Sequence, residues 1–433
     1  MHANKRVSLR VRSRVLPLLL LVMLIMEFLD PYRGWVVVLV GFGGAWLISF
    51  IWARGLARGV HLKREMRYGW AQVGDQLEER FTLTNQSWLP GIWVEIIDHS
   101  TLPDYRPSLV TGVGSNGTNS WRTRGICTQR GLFTLGPTQL KTGDPFGFFS
   151  IQIDDLATVS LMVMPPVIPL PFIAVAPGNQ AGEGRQPTQA LERTVSTSTI
   201  RPYLPGDSLH HIHWRLSARH DQLLVRLFDH TPSSDWWIIL DMNHLVQLGT
   251  GQDSTEENSI ILAASLADRG LRLQHAVGMV AYGQHAVWLP PKTGPLRRWE
   301  ILRALTIIHP GEGSLADVLS RSLSAIQRRA SLVIITADAD GDWLEALLPF
   351  TWSGMQPTVL LLDPPSFGGE TNPRLLTKAL IQCGIPHYLI SRNLFDRPEA
   401  HPGTAGRWEW RISATGRAVP IKRPKDMEWR DLA

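Results

Sequence analysis

The sequence predicts a multidomain protein with an N-terminal transmembrane helical hairpin, a β-sandwich-like domain and then an α/β Rossmann-like domain. Three observations lead to this architecture. Two apolar runs lie near the N-terminus, short β-like segments follow them, and strand-like and helix-like segments alternate in the second half. The length of 433 residues allows about three domains, and a composition that is 44% hydrophobic and 19% charged is sufficient for folded cores.

We expect the following consecutive regions. They are a basic cytoplasmic N-terminus (residues 1–14), two transmembrane helices (15–53), a β-rich sandwich-like domain (60–164), a Pro/Gly-rich linker (165–200), a signature block (201–229), the α/β domain (230–391) and an irregular tail (392–433).

The predicted hairpin consists of apolar runs at residues 15–29 and 35–52, separated by a compact polar turn. The first run, broken only by Glu27, is short for a bilayer span, and the second is near the lower limit of length for a transmembrane helix. Lysines and arginines cluster before the first run and after the second, whereas Arg33 alone lies between them. The positive-inside rule therefore predicts a multi-pass cell-membrane protein with most of its chain in the cytoplasm. A signal peptide followed by one span is the alternative, but no small-residue cleavage site follows the first run.

Charge and cysteine content narrow the functional classes. The net charge of +5 is unevenly spread, and aromatic residues do not interleave with basic ones, so we expect no nucleic-acid partner. The two cysteines, Cys127 and Cys383, are far apart in sequence and form neither a disulfide framework nor a zinc motif. A reducing compartment fits this usage.

The β-rich region, residues 60–164, carries short alternating segments separated by Gly, Pro, Asn and Asp clusters, which is typical of a small sandwich. Within it, residues 111–120 are predicted to form a hairpin tip or loop because they are rich in glycine and asparagine. The proline-rich residues that follow it predict a partly extended linker.

The second half predicts a parallel sheet with crossover helices. Residues 236–240 are continuously apolar, as expected for a strand buried on both faces. Further strands are predicted at 275–282, 286–289, 332–336, 358–362 and 387–390, and helices at 259–269, 296–308, 314–329, 343–350 and 374–383.

Four oxygen-bearing side chains follow strands or open helices of this sheet, where ligands bind in open α/β folds. They are Asp241, Asn243, Ser314 and Asp338. Carboxylate, amide and hydroxyl oxygens suit Mg²⁺. The layout resembles a von Willebrand factor A domain. The metal-ion-dependent adhesion site of such domains has the pattern Asp-x-Ser-x-Ser, followed by a distant Thr and Asp. Here Asn243 and Leu245 replace the serines, and Leu245 cannot coordinate a cation. A Mg²⁺ site and a relic fold, in which Asp241 caps a loop, both remain open.

The signature block combines a Pro-Gly-Asp turn, three histidines, several arginines and Trp214, which we expect to be buried. Clustered arginines repel one another unless an anionic or aromatic group lies between them. The spacing of His210, His211 and His213 is not that of a zinc site, and backbone hydrogen bonding is favoured. Asp207 is expected to fix its turn or to anchor an arginine. A hydrolase with a histidine base near Asp207 is a further hypothesis, but no nucleophile lies beside it.

This block resembles the signature of the bacterial domain of unknown function 58 family. The matching residues are Arg201, Tyr203, Gly206, Asp207, His213, Trp214, Arg215, Arg219 and Arg226. Residues 131–137 and 142–149 are similar to a second family segment. The resemblance implies a membrane-anchored partner of MoxR-type AAA+ ATPases, often found alongside transglutaminase-like membrane proteins, and it supplies no catalytic residues. The block is then either a docking surface or a structural clasp between linker and sheet.

The sequence contains no P-loop, Gly-x-Ser-x-Gly, His-Glu-x-x-His or Cys-x-x-Cys motif, so no catalytic residue is predicted. We therefore expect a non-enzymatic scaffold or adaptor, anchored in the lipid bilayer, whose cytoplasmic domains bind a MoxR-type AAA+ ATPase. The alternative is a Mg²⁺-dependent protein- or ligand-binding domain with a degenerate adhesion-type site. No cofactor other than Mg²⁺ is a candidate.

Overall fold

The computed structural model describes most of the chain. The described residues are 5–170, 173–176, 199–203, 214–220, 222–227, 235–326, 330–392, 409–412, 418–422 and 430–431.

The secondary structure begins with a strand, continues with two apolar helices and then alternates as follows. The α-helices are α1 (Val15–Leu29), α2 (Arg33–Gly59), α3 (Trp214–His220), α4 (Thr255–Arg272), α5 (Pro295–Ile307), α6 (Leu315–Ser322), α7 (Leu344–Trp352) and α8 (Arg374–Gln382). The strands are β1 (Lys5–Val11), β2 (Val60–Met66), β3 (Trp70–Gln72), β4 (Gln76–Asn85), β5 (Gly91–Asp98), β6 (Leu109–Val113), β7 (Thr118–Ile126), β8 (Gly131–Leu135), β9 (Thr138–Gly143), β10 (Phe149–Asp155), β11 (Val159–Met164), β12 (Thr199–Pro202), β13 (Leu224–Leu227), β14 (Trp236–Leu240), β15 (Val277–Tyr282), β16 (Ala286–Lys292), β17 (Ser331–Thr336), β18 (Thr358–Leu362), β19 (His387–Ile390), β20 (Glu409–Ile412), β21 (Ala418–Lys422) and β22 (Arg430–Asp431).

The β-rich region is built from sheets of strand order β1-β10-β9-β5-β6, β22-β2-β4-β7 and β3-β11-β8. Strand β4 shows why this region folds as it does, because every second residue from Leu77 to Asn85 is buried. Residues 111–120, expected to be a hairpin tip or loop, contain the end of β6, the start of β7 and the short turn between these strands. The part of the tail that the structure describes contains β20, β21 and β22, although we expected irregular chain there.

The N-terminal strand β1 was not anticipated by the sequence analysis. It pairs antiparallel with β10, with Val7 opposite Ile153 and Val11 opposite Phe149. Because β1 precedes α1 and β2 follows α2, both ends of the helical pair enter the same β-region. Helix α2 is long and apolar enough to cross a membrane, whereas α1 is a shorter apolar helix.

The α/β region contains one sheet of order β16-β15-β14-β17-β18-β19. Strands β15, β14, β17, β18 and β19 pair in parallel, and only the edge strand β16 is antiparallel. All five residues of β14 are buried, which confirms the strand predicted from its apolar run. Helices α4 and α5 cover one face of the sheet, and α6, α7 and α8 cover the other. Helix α6 ends at Ser322, earlier than predicted.

Part of the predicted linker lies against the α/β region. The backbone N–H of Ile168 donates to Ser265 Oγ on α4 at 2.9 Å, and that of Ala176 donates to Thr358 Oγ1 at 3.0 Å. Ile168 is also buried in the same apolar cluster as α4. These contacts fix residues 165–170 and 173–176 along the domain.

The β-rich and α/β regions are joined by a buried arginine. Arg130, between β7 and β8, donates to the backbone oxygens of Leu305 and Ile308 at 3.1 and 2.9 Å. It also pairs with Glu256 at 2.7 Å and with Glu257, both on α4. These contacts hold the sheet of the α/β region in a defined position relative to the β-rich region.

Candidate functional site

The candidate metal residues surround the carboxyl ends of β14 and β17. Asp241 follows β14 and is 2% exposed, and its backbone N–H donates to the backbone oxygen of Ile335 on β17 at 2.9 Å. Two adjacent strands therefore end at the same level, which places the loops after them side by side.

The Asp241 carboxylate is held by two hydrogen bonds. Thr336 Oγ1 donates to one oxygen at 2.6 Å, and the backbone N–H of Asn243 donates to the other at 3.1 Å. Burial raises the pKa of Asp241 to about 6, and nearby Asp338 contributes to the rise, while the two hydrogen bonds oppose it. The carboxylate thus connects the loop after β14 to the end of β17.

The Asn243 and Ser314 side chains make contacts within their own loops. Asn243 Oδ1 accepts from the backbone N–H of Leu245 at 3.1 Å, and the Asn243 backbone bridges to Gly311. Ser314 begins α6, where its Oγ accepts from the backbone N–H of Asp317 at 3.2 Å and donates to the Asp317 carboxylate at 2.7 Å. This is the capping role that serine commonly takes at a helix start.

Asp338 lies on the other side of Thr336. Its backbone N–H donates to Thr336 Oγ1 at 2.9 Å, and its Oδ1 accepts from the backbone N–H of Asp340 at 2.9 Å. Burial is the main reason that the pKa of Asp338 is raised. The structure therefore links Asp241 and Asp338 through Thr336, and it brings the Asn243 loop to the loop that precedes Ser314.

Within the described residues, no group of three or more His, Cys, Asp or Glu side chains is placed to hold a metal ion. Leu245, at the position of the third ligand in the adhesion-type pattern, is 77% exposed. Thr336 was missed by the sequence analysis, although it ends a buried strand and is itself fully buried. A hydroxyl at such a position must find a partner, which is the signal that could have identified it.

The structure describes the signature block in part. Strands β12 and β13 pair antiparallel, and the Tyr203 backbone N–H donates to Leu223 O at 2.8 Å. Ser217 Oγ on α3 accepts from the backbone N–H of Leu224 at 2.9 Å, which holds the helix to β13. Gly206, Asp207 and His213, like His210 and His211, lie outside the described residues, as do the side chains of Arg201, Arg215 and Arg226.

Trp214, which we expected to be buried, is 65% exposed. It lies at the first residue of α3, and Arg219 on the same helix is also exposed. The prediction of a buried tryptophan was wrong because it took the apolar character of the side chain as sufficient for burial. Indole groups also occur on surfaces that bind partners.

The raised pKa of Asp241 predicts a pH-dependent stability. Because its pKa is higher in the folded protein than the ordinary 3.8, the folded state binds the proton more tightly, and stability falls as pH rises through about 6. Between pH 7.5 and pH 5 we expect the wild type to gain about 1 kcal/mol in free energy of unfolding relative to Asp241→Asn. Denaturant titrations of both proteins in detergent measure this difference. Parallel pH profiles would contradict the interpretation.

Comparison with known proteins agrees with the family resemblance that was based on the signature block. Residues 199–363 match the model of the family described as "Protein of unknown function DUF58". The uncharacterized protein YeaD of Bacillus subtilis is 24% identical over 225 residues, which cover 50% of this chain and 52% of that protein. An uncharacterized protein of Mycobacterium tuberculosis is 22% identical over 170 residues, covering 38% of this chain and 54% of that protein. The chain thus spans about half the length of these curated relatives.

Two solved structures are also similar in part. An aerotolerance-related membrane protein from Bacteroides fragilis shares 16% identity, covers 44% of this chain and 81% of its own, and has a TM-score of 0.23. The SpRpn10 VWA domain shares 7% identity, covers 38% of this chain and 96% of its own, and has a TM-score of 0.27.

Proposed function

We propose that this chain, which carries a DUF58 region at residues 199–363, is a membrane-anchored, non-enzymatic adaptor. Its partner in this proposal is a protein that docks on the signature block, namely a MoxR-type AAA+ ATPase. A transglutaminase-like membrane protein is the second proposed partner. The observation that carries the proposal is the exposure of Trp214 on a helix that a Ser217–Leu224 hydrogen bond holds to β13.

An exposed tryptophan is the kind of side chain that anchors protein interfaces, because it buries a large area with few rotatable bonds. Trp214 and the exposed Arg219 lie on one short helix, and both residue types are enriched at interfaces. The Ser217–Leu224 hydrogen bond supports this helix against β13. Among the two roles left open by the sequence, these contacts favour the docking surface over the clasp.

A non-enzymatic role is supported by how the polar side chains at the sheet edge are used. Asp241 joins two loops and Ser314 caps a helix, so both serve the local structure. We propose a von Willebrand factor A-like architecture for this region. Its support is the order of the sheet, in which β14 is central and β16 is the antiparallel edge strand.

Membrane anchoring is proposed through both apolar helices, with most of the chain in the cytoplasm. Helix α2 has 27 residues and is about 40 Å long, whereas α1 has 15 residues and is about 22 Å long. If α2 crosses the bilayer, α1 must return the chain, because β1 and β2 both belong to the β-rich region. The arginines at both outer ends favour the cytoplasmic side for that region.

Replacing Trp214 with alanine is expected to reduce capture of the partner at least tenfold and to change the melting temperature by less than about 2 °C, because an exposed side chain contributes little to the core. Chemical crosslinking in native membranes, followed by quantitative mass spectrometry, measures the first quantity. Trp352→Ala, at a tryptophan that is 78% exposed on α7, is the matched control. Equal capture by wild type and Trp214→Ala would contradict the docking role.

Mg²⁺ binding is the second candidate function. It is favoured by the nearness of the Asp338 carboxylate to that of Asp241, since the negative charge of Asp338 contributes to the raised pKa of Asp241. A cation between these carboxylates would raise the melting temperature of the wild type, and Asp241→Asn would abolish the rise. A structural Asp241 predicts instead that millimolar Mg²⁺ leaves both melting temperatures unchanged. A thermal melt with and without Mg²⁺ therefore separates the two functions.

A further inference from the structure

Helix α2 enters the β-rich region without a linker. From Trp46 onward one face of the helix packs on the sheets, with the ring of Phe149 5.6 Å from that of Trp46 and 5.7 Å from that of Phe50. Ala53 and Leu56 are fully buried in the same cluster. The apolar helix and the β-region therefore form one body, and the end of the β-region at which the helix enters must lie close to any membrane that the helix occupies.

One loop at this end carries exposed apolar side chains. It connects β4 to β5, and Trp52 Nε1 on α2 donates to the backbone oxygen of Pro90 within it at 3.1 Å. Trp88 is 69% exposed, and Ile92, at the start of β5, is 58% exposed. The loop is held in place by Asn85, whose Nδ2 donates to Leu89 O at 2.8 Å. The two apolar side chains are therefore presented to the surroundings by an ordered loop, and neighbouring exposed apolar side chains mark interaction sites.

A second loop at the same end, between β9 and β10, carries an exposed phenylalanine. Phe146 is 60% exposed and stacks on Phe148 at 5.9 Å. The Asp144 carboxylate accepts hydrogen bonds from the backbone N–H groups of Phe146 and Phe149 at 3.0 and 2.6 Å. The backbone N–H of Arg12, just before α1, donates to Phe148 O at 2.8 Å, so that this loop lies where the chain leaves the β-region for α1.

Positive charge surrounds these loops. Arg12 and Arg14 lie directly before α1, and Arg54 lies two residues after Trp52 on α2; all three are exposed. Exposed aromatic side chains beside arginines, next to an apolar helix pair, match the chemistry of the membrane interface. There the indole ring lies among the head groups and the guanidinium groups meet lipid phosphates.

We infer that this end of the β-rich region is seated in the cytoplasmic face of the bilayer, with Trp88, Ile92 and Phe146 inserted among anionic lipid head groups. The inference rests on the proposed membrane anchoring and adds a second set of contacts to it. Since Arg130 joins the β-rich region to the α/β region, insertion of these side chains also fixes the orientation of the α/β region relative to the membrane.

Site-directed spin labelling of the full chain tests this inference. In a Cys383→Ser background, in which the other cysteine, Cys127, is buried, labels are attached at Trp88→Cys and Phe146→Cys. Ile126→Cys is the control. Ile126 is 59% exposed and lies at the end of β7 that is opposite to the β4–β5 loop. Val40→Cys, at a residue of α2 that is 65% exposed, reports on the helix itself.

In nanodiscs that contain phosphatidylglycerol, we expect the labels at 88 and 146 to be more accessible to oxygen than to a water-soluble nickel complex. The label at 126 should show the reverse. Labels at 88 and 146 that behave like the one at 126, while the label at 40 lies in lipid, would contradict the insertion of these loops and leave the proposed helical membrane anchor intact. A label at 40 in water would instead refute the anchor. Unchanged depth in pure phosphatidylcholine would overturn the role assigned to the arginines.

Discussion

Replacing Glu79 with alanine is expected to destabilise the β-rich region by about 3–5 kcal/mol, because the change leaves a buried arginine without its main partner. Arg64 binds Glu79 through two hydrogen bonds of 2.7 Å and Asp98 through a third of 2.8 Å. The side chains of Glu79 and Asp98 are 0% and 1% exposed. Tyr105 also donates to Glu79, and burial is the main reason that the pKa of Tyr105 is raised.

This network joins the two main sheets of the region, since Arg64 and Glu79 lie on β2 and β4 and Asp98 ends β5. Urea titration in detergent, monitored by tryptophan fluorescence, measures the free energy of unfolding of Glu79→Ala. Glu78→Ala is a suitable control, because the adjacent side chain points to the other face of β4 and makes longer ion pairs of 3.4 to 3.9 Å. The control should cost less than about 1 kcal/mol. Equal losses in the two variants would show that the buried network does not stabilise the fold.

Replacing Arg130 with methionine is expected to uncouple the β-rich and α/β regions. The Arg130 side chain is 2% exposed, so that its removal deprives the Leu305 and Ile308 carbonyls of this donor and leaves Glu256 and Glu257 without their arginine partner. Those glutamates are 22% and 26% exposed and can be hydrated in part, which places the expected cost at about 2–4 kcal/mol.

The specific sign of uncoupling is a change from one unfolding transition to two. Hydrogen exchange should also accelerate in β8 and α5, the elements on either side of the interface. Arg303→Met is the matched control, because Arg303 is exposed on α5. A single transition at wild-type denaturant concentration in Arg130→Met would contradict the role of this arginine as the connection between the regions.

The sequence allowed the α/β region to be predicted well, because its strands are continuous apolar runs bounded by polar loops. Strand β14 coincides with its prediction, and β18 does so as well. These strands are buried on both faces, so that composition alone identifies them. The DUF58 resemblance, based on the residues of the signature block, is confirmed by the match at 199–363.

Features that depend on long-range contacts were harder to predict. Strand β1 is rich in basic residues and forms through pairing with β10, more than 130 residues later, which no local pattern reveals. Asp241 was identified, but its partner Thr336 comes from a neighbouring strand. Trp214 was expected to be buried because burial of an aromatic side chain was inferred from its type, whereas its surroundings determine it.

The most direct test of the adaptor proposal is crosslinking of the full chain in its native membrane, with and without ATP, followed by capture and mass spectrometry. The proposal predicts that a MoxR-type AAA+ ATPase is enriched in a nucleotide-dependent manner and that this enrichment depends on Trp214. Absence of any AAA+ ATPase from the captured material in every nucleotide state would contradict it.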